Sequence, residues 1–164
     1  MKHSTSAYGN FLSVTGVIVM LISAFVPWLS IERGWHIITS EINETYSLLT
    51  ISRVYNDMEL VVKDGLTYVC LIMLSVFAVT AMVLNLFTAL TRASGANVSE
   101  ALNVLAIVLD VLVVFLFYIS MMHLRTIISD GTISLNGSSV GSGYGIYIFC
   151  MGVVMKFAGK ELQQ

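Results

Sequence analysis

Four long apolar stretches divide the chain, and more polar segments separate them. They cover about 11–31, 66–90, 101–124 and 144–158. A helix needs about 20 mostly apolar residues to cross a bilayer, and the first three stretches meet that length. The fourth is shorter and contains Lys156, so it crosses only if the lysine reaches the headgroup region or a partner. The pattern predicts an all-α membrane protein with a bundle of four transmembrane helices.

Two of the polar segments, 32–65 and 125–143, are long enough to form a small cap at one end of this bundle. Four crossings place both segments on one side of the membrane and both termini on the other. Lys2 precedes the first helix, which favours cytoplasmic N and C termini and a cap outside the cytoplasm. Within the first segment, Thr45–Val54 and Met58–Val62 fit either a short amphipathic helix or a pair of strands.

Composition supports a membrane location for residues 1–164 as a single domain. Hydrophobic residues make up 57% of the chain and charged residues 11%, with a formal net charge of −2. A soluble domain carries about 25% charged residues, so the composition disfavours a soluble enzyme, a disordered chain and a nucleic-acid-binding protein. The first apolar stretch is longer than the core of a cleaved signal peptide, and we expect a retained helix in the plasma membrane.

The sequence contains no pattern that indicates catalysis or a bound cofactor. It has no phosphate-binding loop and no zinc-binding or serine-hydrolase motif. His3, His36 and His123 are scattered without metal-ligand spacing, and Cys70 and Cys150 lie within apolar stretches where cysteines are usually inert. We therefore expect a protein that is not an enzyme and has no metal or cofactor.

Asp110 is the most informative residue because it lies near the middle of the third apolar stretch. A carboxylate there costs about 2.5–3.5 kcal/mol, so it must face the bundle and be protonated or paired. Asn103 lies two helical turns earlier on the same face. Counting depth along the helices places Thr80 level with Asp110 and Lys156 one turn away. We expect an Asp110–Lys156 structural pair; the alternative is a proton or cation relay.

Small residues recur along one face of two helices. Gly145, Gly152 and Gly159 are spaced by seven residues, and Gly16 and Ser23 repeat the spacing in the first helix. Small side chains let membrane helices approach closely. These faces either pack inside the chain or form a groove for self-association or a partner.

Aromatic residues cluster near the predicted outer ends of two helices. Trp28 and Trp35 lie near the end of the first helix, and Tyr144 and Tyr147 near the start of the last. Aromatic residues at these depths are typical of the membrane interface, and we expect them to act as interfacial anchors.

Three short motifs carry a family resemblance: Phe25-Val-Pro-Trp-Leu-Ser, Tyr46-Ser-Leu-Leu and Gly141-Ser-Gly-Tyr-Gly. They resemble a large group of small bacterial four-helix membrane proteins, whose function is generally unassigned and some of which carry a zinc ribbon that this chain lacks. The long first and shorter second outer loops are also similar to the topology of claudins. The claudin signature of Trp, Gly-Leu-Trp and two cysteines is missing, so the resemblance implies only the layout.

Three functions fit this description. The first is a non-enzymatic accessory or assembly subunit, which binds a protein partner through its cap and glycine-lined helix faces. The second is a small homo-oligomeric channel or proton-linked transporter that uses Asp110 and Asn103. The third is a toxin-resistance or exclusion factor at the cell surface. The expected surroundings are the lipid bilayer and a protein partner or further copies of the chain, without nucleic acid.

Overall fold

Four helices and a three-stranded sheet form the part of the protein that the computed structural model describes, which is residues 2–33, 42–54, 65–129 and 139–162. In chain order the elements are α1 (Lys2–Ser23), β1 (Pro27–Arg33), β2 (Ile42–Ser47), a short 3-10 helix (Ile51–Arg53), α2 (Gly65–Ala93), α3 (Glu100–Ser129), β3 (Ser139–Ser142) and α4 (Tyr144–Glu161). Trp35, His36 and Met58–Val62 lie outside the described residues.

The prediction of an all-α bundle with four transmembrane helices is wrong in two respects. The cap contains an antiparallel sheet, and only α2 and α3 among the described helices are long and apolar enough to cross a membrane. The apolar part of α1 is shorter, at Ala7–Ser23. The 18 residues of α4 include Lys156, Lys160 and Glu161, so its last two turns carry three charges.

The first helix was predicted to end eight residues too late, at 31 instead of Ser23, because one apolar run contributes to two different elements. Helix α1 ends at Ser23, and the next three residues form tighter i→i−3 hydrogen bonds of 3.1–3.2 Å. Pro27 has no N–H to donate and begins β1. Leu29 and Ile31 are then buried by strand alternation, so the apolar pattern continues after the helix has ended.

The sheet has the order β2-β1-β3, with both outer strands antiparallel to β1. Ile31 lies opposite Glu44 on one side and Val140 on the other. The register shifts between Pro27 and Leu29, and this irregularity accommodates Trp28. The sheet forms the cap at the end of the helices where α1 ends and α4 begins.

Helices α1 and α4 run antiparallel and pack more closely than side chains would permit. A Cβ atom at Gly16 would lie 2.6 Å from the Gly152 carbonyl oxygen, and one at Gly159 would lie 2.6 Å from the Ser13 nitrogen. Real Cβ atoms do not approach backbone atoms this closely, so both positions require glycine. The glycine faces are therefore used for packing inside the chain, which was one of the two expected uses.

Replacing Gly152 with alanine should destabilise the protein because the new Cβ would lie 2.6 Å from the Gly16 carbonyl oxygen. Overpacking of this kind typically costs about 1–3 kcal/mol. We expect a lower Tm for Gly152→Ala than for the wild type in detergent. Gly65→Ala is the matched control, because no heavy atom of the described residues lies within 4 Å of a Cβ at that position. Equal Tm values for the two variants would contradict the close α1–α4 contact.

Candidate functional site

Three polar side chains from three different helices meet inside the bundle. Lys156 of α4 lies 2.5 Å from Asp110 of α3, measured from Nζ to Oδ2. Asn85 of α2 donates from Nδ2 to Asp110 Oδ1 at 2.7 Å and accepts at Oδ1 from Lys156 Nζ at 2.6 Å. Every pair in this group is hydrogen-bonded, and we call these three residues the polar triad.

The triad is almost fully shielded from the surface. The exposed fraction is 2% for Asp110, 0% for Asn85 and 8% for Lys156. Both carboxylate oxygens of Asp110 accept a hydrogen bond, and the Lys156 ammonium also lies 5.0 Å from the centroid of the Phe157 ring. A buried charge is tolerated when it is paired and hydrogen-bonded, and each charge in the triad meets that condition.

The turn between α2 and α3 determines which residues face each other across that pair of helices. Gly95 has φ +79°, the left-handed conformation that commonly ends a helix. Its N–H donates to the Arg92 carbonyl at 2.9 Å, and the N–H of Ala96 donates to that of Thr91 at 3.1 Å. Because the connection is only six residues long, positions at similar distances before and after it lie opposite each other. Asn85 and Asp110 are such a pair.

The close packing of α1 on α4 positions the third member of the triad. A Cβ at Gly16 would lie 2.6 Å from the Lys156 backbone nitrogen, so the α4 backbone touches α1 at the lysine itself. The side chain then extends from this contact toward α2 and α3. The Gly16 face and the polar triad are therefore parts of one arrangement.

The structure brings together Asp110 and Lys156, as expected, but not Thr80. The Thr80 side chain is exposed and donates to the Val76 carbonyl of its own helix at 2.7 Å. The residue that contacts Asp110 from α2 is Asn85, which the sequence analysis missed. The sequence does contain an indication of this contact. Asn85 is an amide within an apolar run, and it lies about as far before the short turn as Asp110 lies after it.

Asn103 lies outside the triad, nearer the α2–α3 turn. Its Oδ1 accepts a hydrogen bond from Arg92 Nη2. Arg92, Asn103 and Lys160 line a cleft that extends inward to Asn85 and Lys156. The cleft therefore connects the triad with the end of the bundle opposite the sheet.

Trp28 is not an interfacial anchor, because its side chain is completely buried. Its indole nitrogen donates to the Ser23 carbonyl at 2.7 Å, and its ring packs edge-on against Phe117 with centroids 5.8 Å apart. Phe149 lies on another side at 5.5 Å, and a Cβ on Gly145 would collide with the indole ring. Trp28 thus joins the sheet to the helices.

The two predicted tyrosine anchors do lie at the surface. Tyr144 is 78% exposed and Tyr147 is 58% exposed, both in the first turn of α4. The Tyr147 hydroxyl lies 2.8 Å from the Ser142 hydroxyl. Trp35, the remaining predicted anchor, lies outside the described residues.

Neither the metal-binding residue types of the described structure nor a comparison with known proteins assigns the chain to a family. Within the described ranges, no group of three or more His, Cys, Asp or Glu residues could hold a metal ion, and Cys70 and Cys150 are free thiols. No family model matches the chain, and no curated protein is significantly similar to it. The resemblance to small bacterial membrane proteins therefore stays a prediction.

The triad predicts strong coupling between Asp110 and Lys156. Asp110→Asn or Lys156→Met alone leaves one buried charge without its partner, a loss that typically costs about 3–5 kcal/mol. The double variant should lose much less stability than the sum of the two single losses, as measured from unfolding in detergent. Thr80→Val is the matched control and should have little effect, because Thr80 bonds only within its own helix. Additive losses would contradict the pairing.

Proposed function

We propose that the protein is embedded in the plasma membrane, with α2 and α3 crossing the bilayer as an antiparallel pair. The main support is the chemistry of their outer faces. Every exposed position from 104 to 122 of α3 carries an apolar or aromatic side chain, and in α2 the same is true from 66 to 90 except at Thr80. The charged and amide groups of the triad point inward instead.

The exposure of these helices favours lipid over water as their surroundings. The most apolar 18-residue windows of α2 and α3 are only 33% and 39% buried within the described structure. A core helix of a soluble protein would be mostly buried, whereas here most residues in each window are at least partly exposed. Burial of that surface in lipid removes it from water at a gain of about 25 cal/mol per Å².

We propose that both termini and the α2–α3 turn lie on the cytoplasmic side. The support comes from Lys2, which precedes the apolar part of α1 at Ala7–Ser23, and from the larger, more acidic loop that contains β2. In this orientation the three-stranded sheet lies outside the cytoplasm. The polar triad is then nearer the cytoplasmic side than the sheet is.

Within the membrane, we propose a non-enzymatic role as an accessory or assembly subunit that binds a protein partner through its cap. The observation that carries this proposal is that the polar triad is closed: each of its groups is bonded to another member. Such a group holds helices together and offers no free acid or base. The cap, in contrast, presents two outer strands, β2 and β3, and sheet edges commonly bind partner segments.

The glycine faces do not contribute to this role, because α1 and α4 use them on each other. Leu49 does contribute in our proposal. It follows β2 in the cap and is 56% exposed, and the carbonyl oxygen of the preceding Leu48 accepts a hydrogen bond from Ser75 of α2. We propose that this side chain becomes buried against the partner.

Two other functions make different predictions. A small channel or proton-linked transporter would use Asp110 in a homo-oligomer, but the carboxylate is held by Lys156 and Asn85. An exclusion or toxin-resistance factor would act as a monomer whose cap blocks an incoming agent. The oligomeric state in native membranes separates these possibilities from an accessory subunit.

Extraction of native membranes in mild detergent tests the proposal through the mass and composition of the intact complex. We expect a different protein in fixed ratio with this chain, and we expect Leu49→Glu to abolish its co-purification. Leu162→Glu is the matched control, since Leu162 is 46% exposed at the opposite end of the protein and should retain the partner. A homo-oligomer would instead favour the channel, and a bare monomer the exclusion factor.

A further inference from the structure

An apolar groove runs along the outside of the bundle between α3 and α4. Ile107, Val111 and Phe115 line one wall, and Val153 and Phe157 line the other. Its volume is about 630 Å³, within the range of about 300–1,000 Å³ in which proteins bind small molecules. The groove therefore has the size and the lining of a site for a long apolar group.

The groove lies next to the cleft near the α2–α3 turn. Ile107 and Phe157 line both of them. Arg92, Lys156 and Lys160 also line the cleft, and its described lining contains no carboxylate. A cationic cleft thus adjoins one end of an apolar groove.

The dimensions match one leaflet of a membrane. Helix α3 contributes to the groove from Ile107 to Tyr118, which spans about 16 Å along the helix axis. The hydrocarbon core of a bilayer is about 30 Å thick, so one leaflet contributes about half of that. A chain that begins at the level of the cleft would end near the middle of the membrane.

We propose that this combined site binds an anionic phospholipid, with the headgroup phosphate against the half-buried side chains of Arg92 and Lys160 and an acyl chain in the groove. This proposal rests on the membrane embedding proposed above. Arg92 and Lys160 attract the phosphate, and Asn103 supplies a further polar group in the cleft wall. Charge complementarity favours a lipid over a partner helix, which would cover the groove but leave the cationic cleft unmatched.

The polar triad favours binding of an anionic lipid because it neutralises the Asp110 carboxylate beside the site. Asp110 lines the groove, and an unpaired carboxylate there would repel a phosphate. Its two oxygens are bonded to Lys156 and Asn85 instead. Arg92 and Lys160 therefore supply the positive charge at the headgroup end.

Native mass spectrometry of the full chain tests this site by comparing retention of phosphatidylglycerol with that of phosphatidylcholine. We expect preferential retention of phosphatidylglycerol. Replacing both Arg92 and Lys160 with glutamine should weaken its binding about 30-fold, because each basic residue near an anionic lipid contributes about 1 kcal/mol. Arg53→Gln is the matched control: Arg53 is exposed in the cap, and its loss should leave lipid binding unchanged.

A second variant tests the groove separately from the charges. Val154 is 66% exposed in the groove wall, and Val154→Trp should fill the groove and reduce retention of phosphatidylglycerol at unchanged Tm. Val83→Trp places the same side chain on an exposed position of α2 that does not line the groove, and it should have no effect.

Several results would overturn the lipid site. Equal retention of both lipids, insensitivity to the Arg92 and Lys160 substitutions, or competition by inorganic phosphate as strong as by phosphatidylglycerol would each do so. A dimer dissociated by Val154→Trp would assign the groove to a second copy instead. Membrane embedding is tested independently by an alkaline wash of native membranes: a protein that stays in the pellet but shows no lipid preference refutes only the lipid site.

Discussion

A lysine and an aspartate buried among apolar side chains have to satisfy each other, because those side chains cannot replace water. Lys156 and Asp110 achieve this at 2.5 Å, and Asn85 bonds to both of them. The three residues come from α4, α3 and α2, so the requirement fixes three helices relative to one another. Removing any member leaves an unsatisfied polar group in a region where such a group is expensive.

The remaining helix and the sheet support this arrangement through close packing. Gly16 lets α1 contact the backbone of α4 at Lys156, and this contact fixes the position from which the lysine side chain extends. At the other end, Trp28 connects β1 with Phe117 and Phe149, and Gly145 leaves room for its ring. Small residues and one large aromatic side chain thus hold the helices at the distance that the charge pair requires.

The sequence predicted the charge pair and the close glycine contacts because both follow from local rules on buried charge and small-residue spacing. It failed where two elements share one apolar run: Pro27–Arg33 is a strand, although hydropathy alone continues the helix. Asn85 was missed because depth was counted from the outer helix ends, which lie beyond their predicted positions. Counting from the short turn at 94–99 places position 83 level with Asp110, and Asn85 is the polar residue within two positions of it.

We propose that the outer faces of α2 and α3 contact lipid while their polar groups face inward. Nitroxide labels at Val83→Cys and Val111→Cys, in a chain with Cys70 and Cys150 replaced by alanine, test it directly in liposomes, since these valines are 60% and 64% exposed. We expect frequent collisions with oxygen and rare collisions with a water-soluble nickel complex at both sites, and the reverse at Ala96→Cys, which is exposed in the turn between α2 and α3. Labels at Val83 and Val111 that collide with the nickel complex as often as the Ala96 label does would contradict lipid contact of these faces.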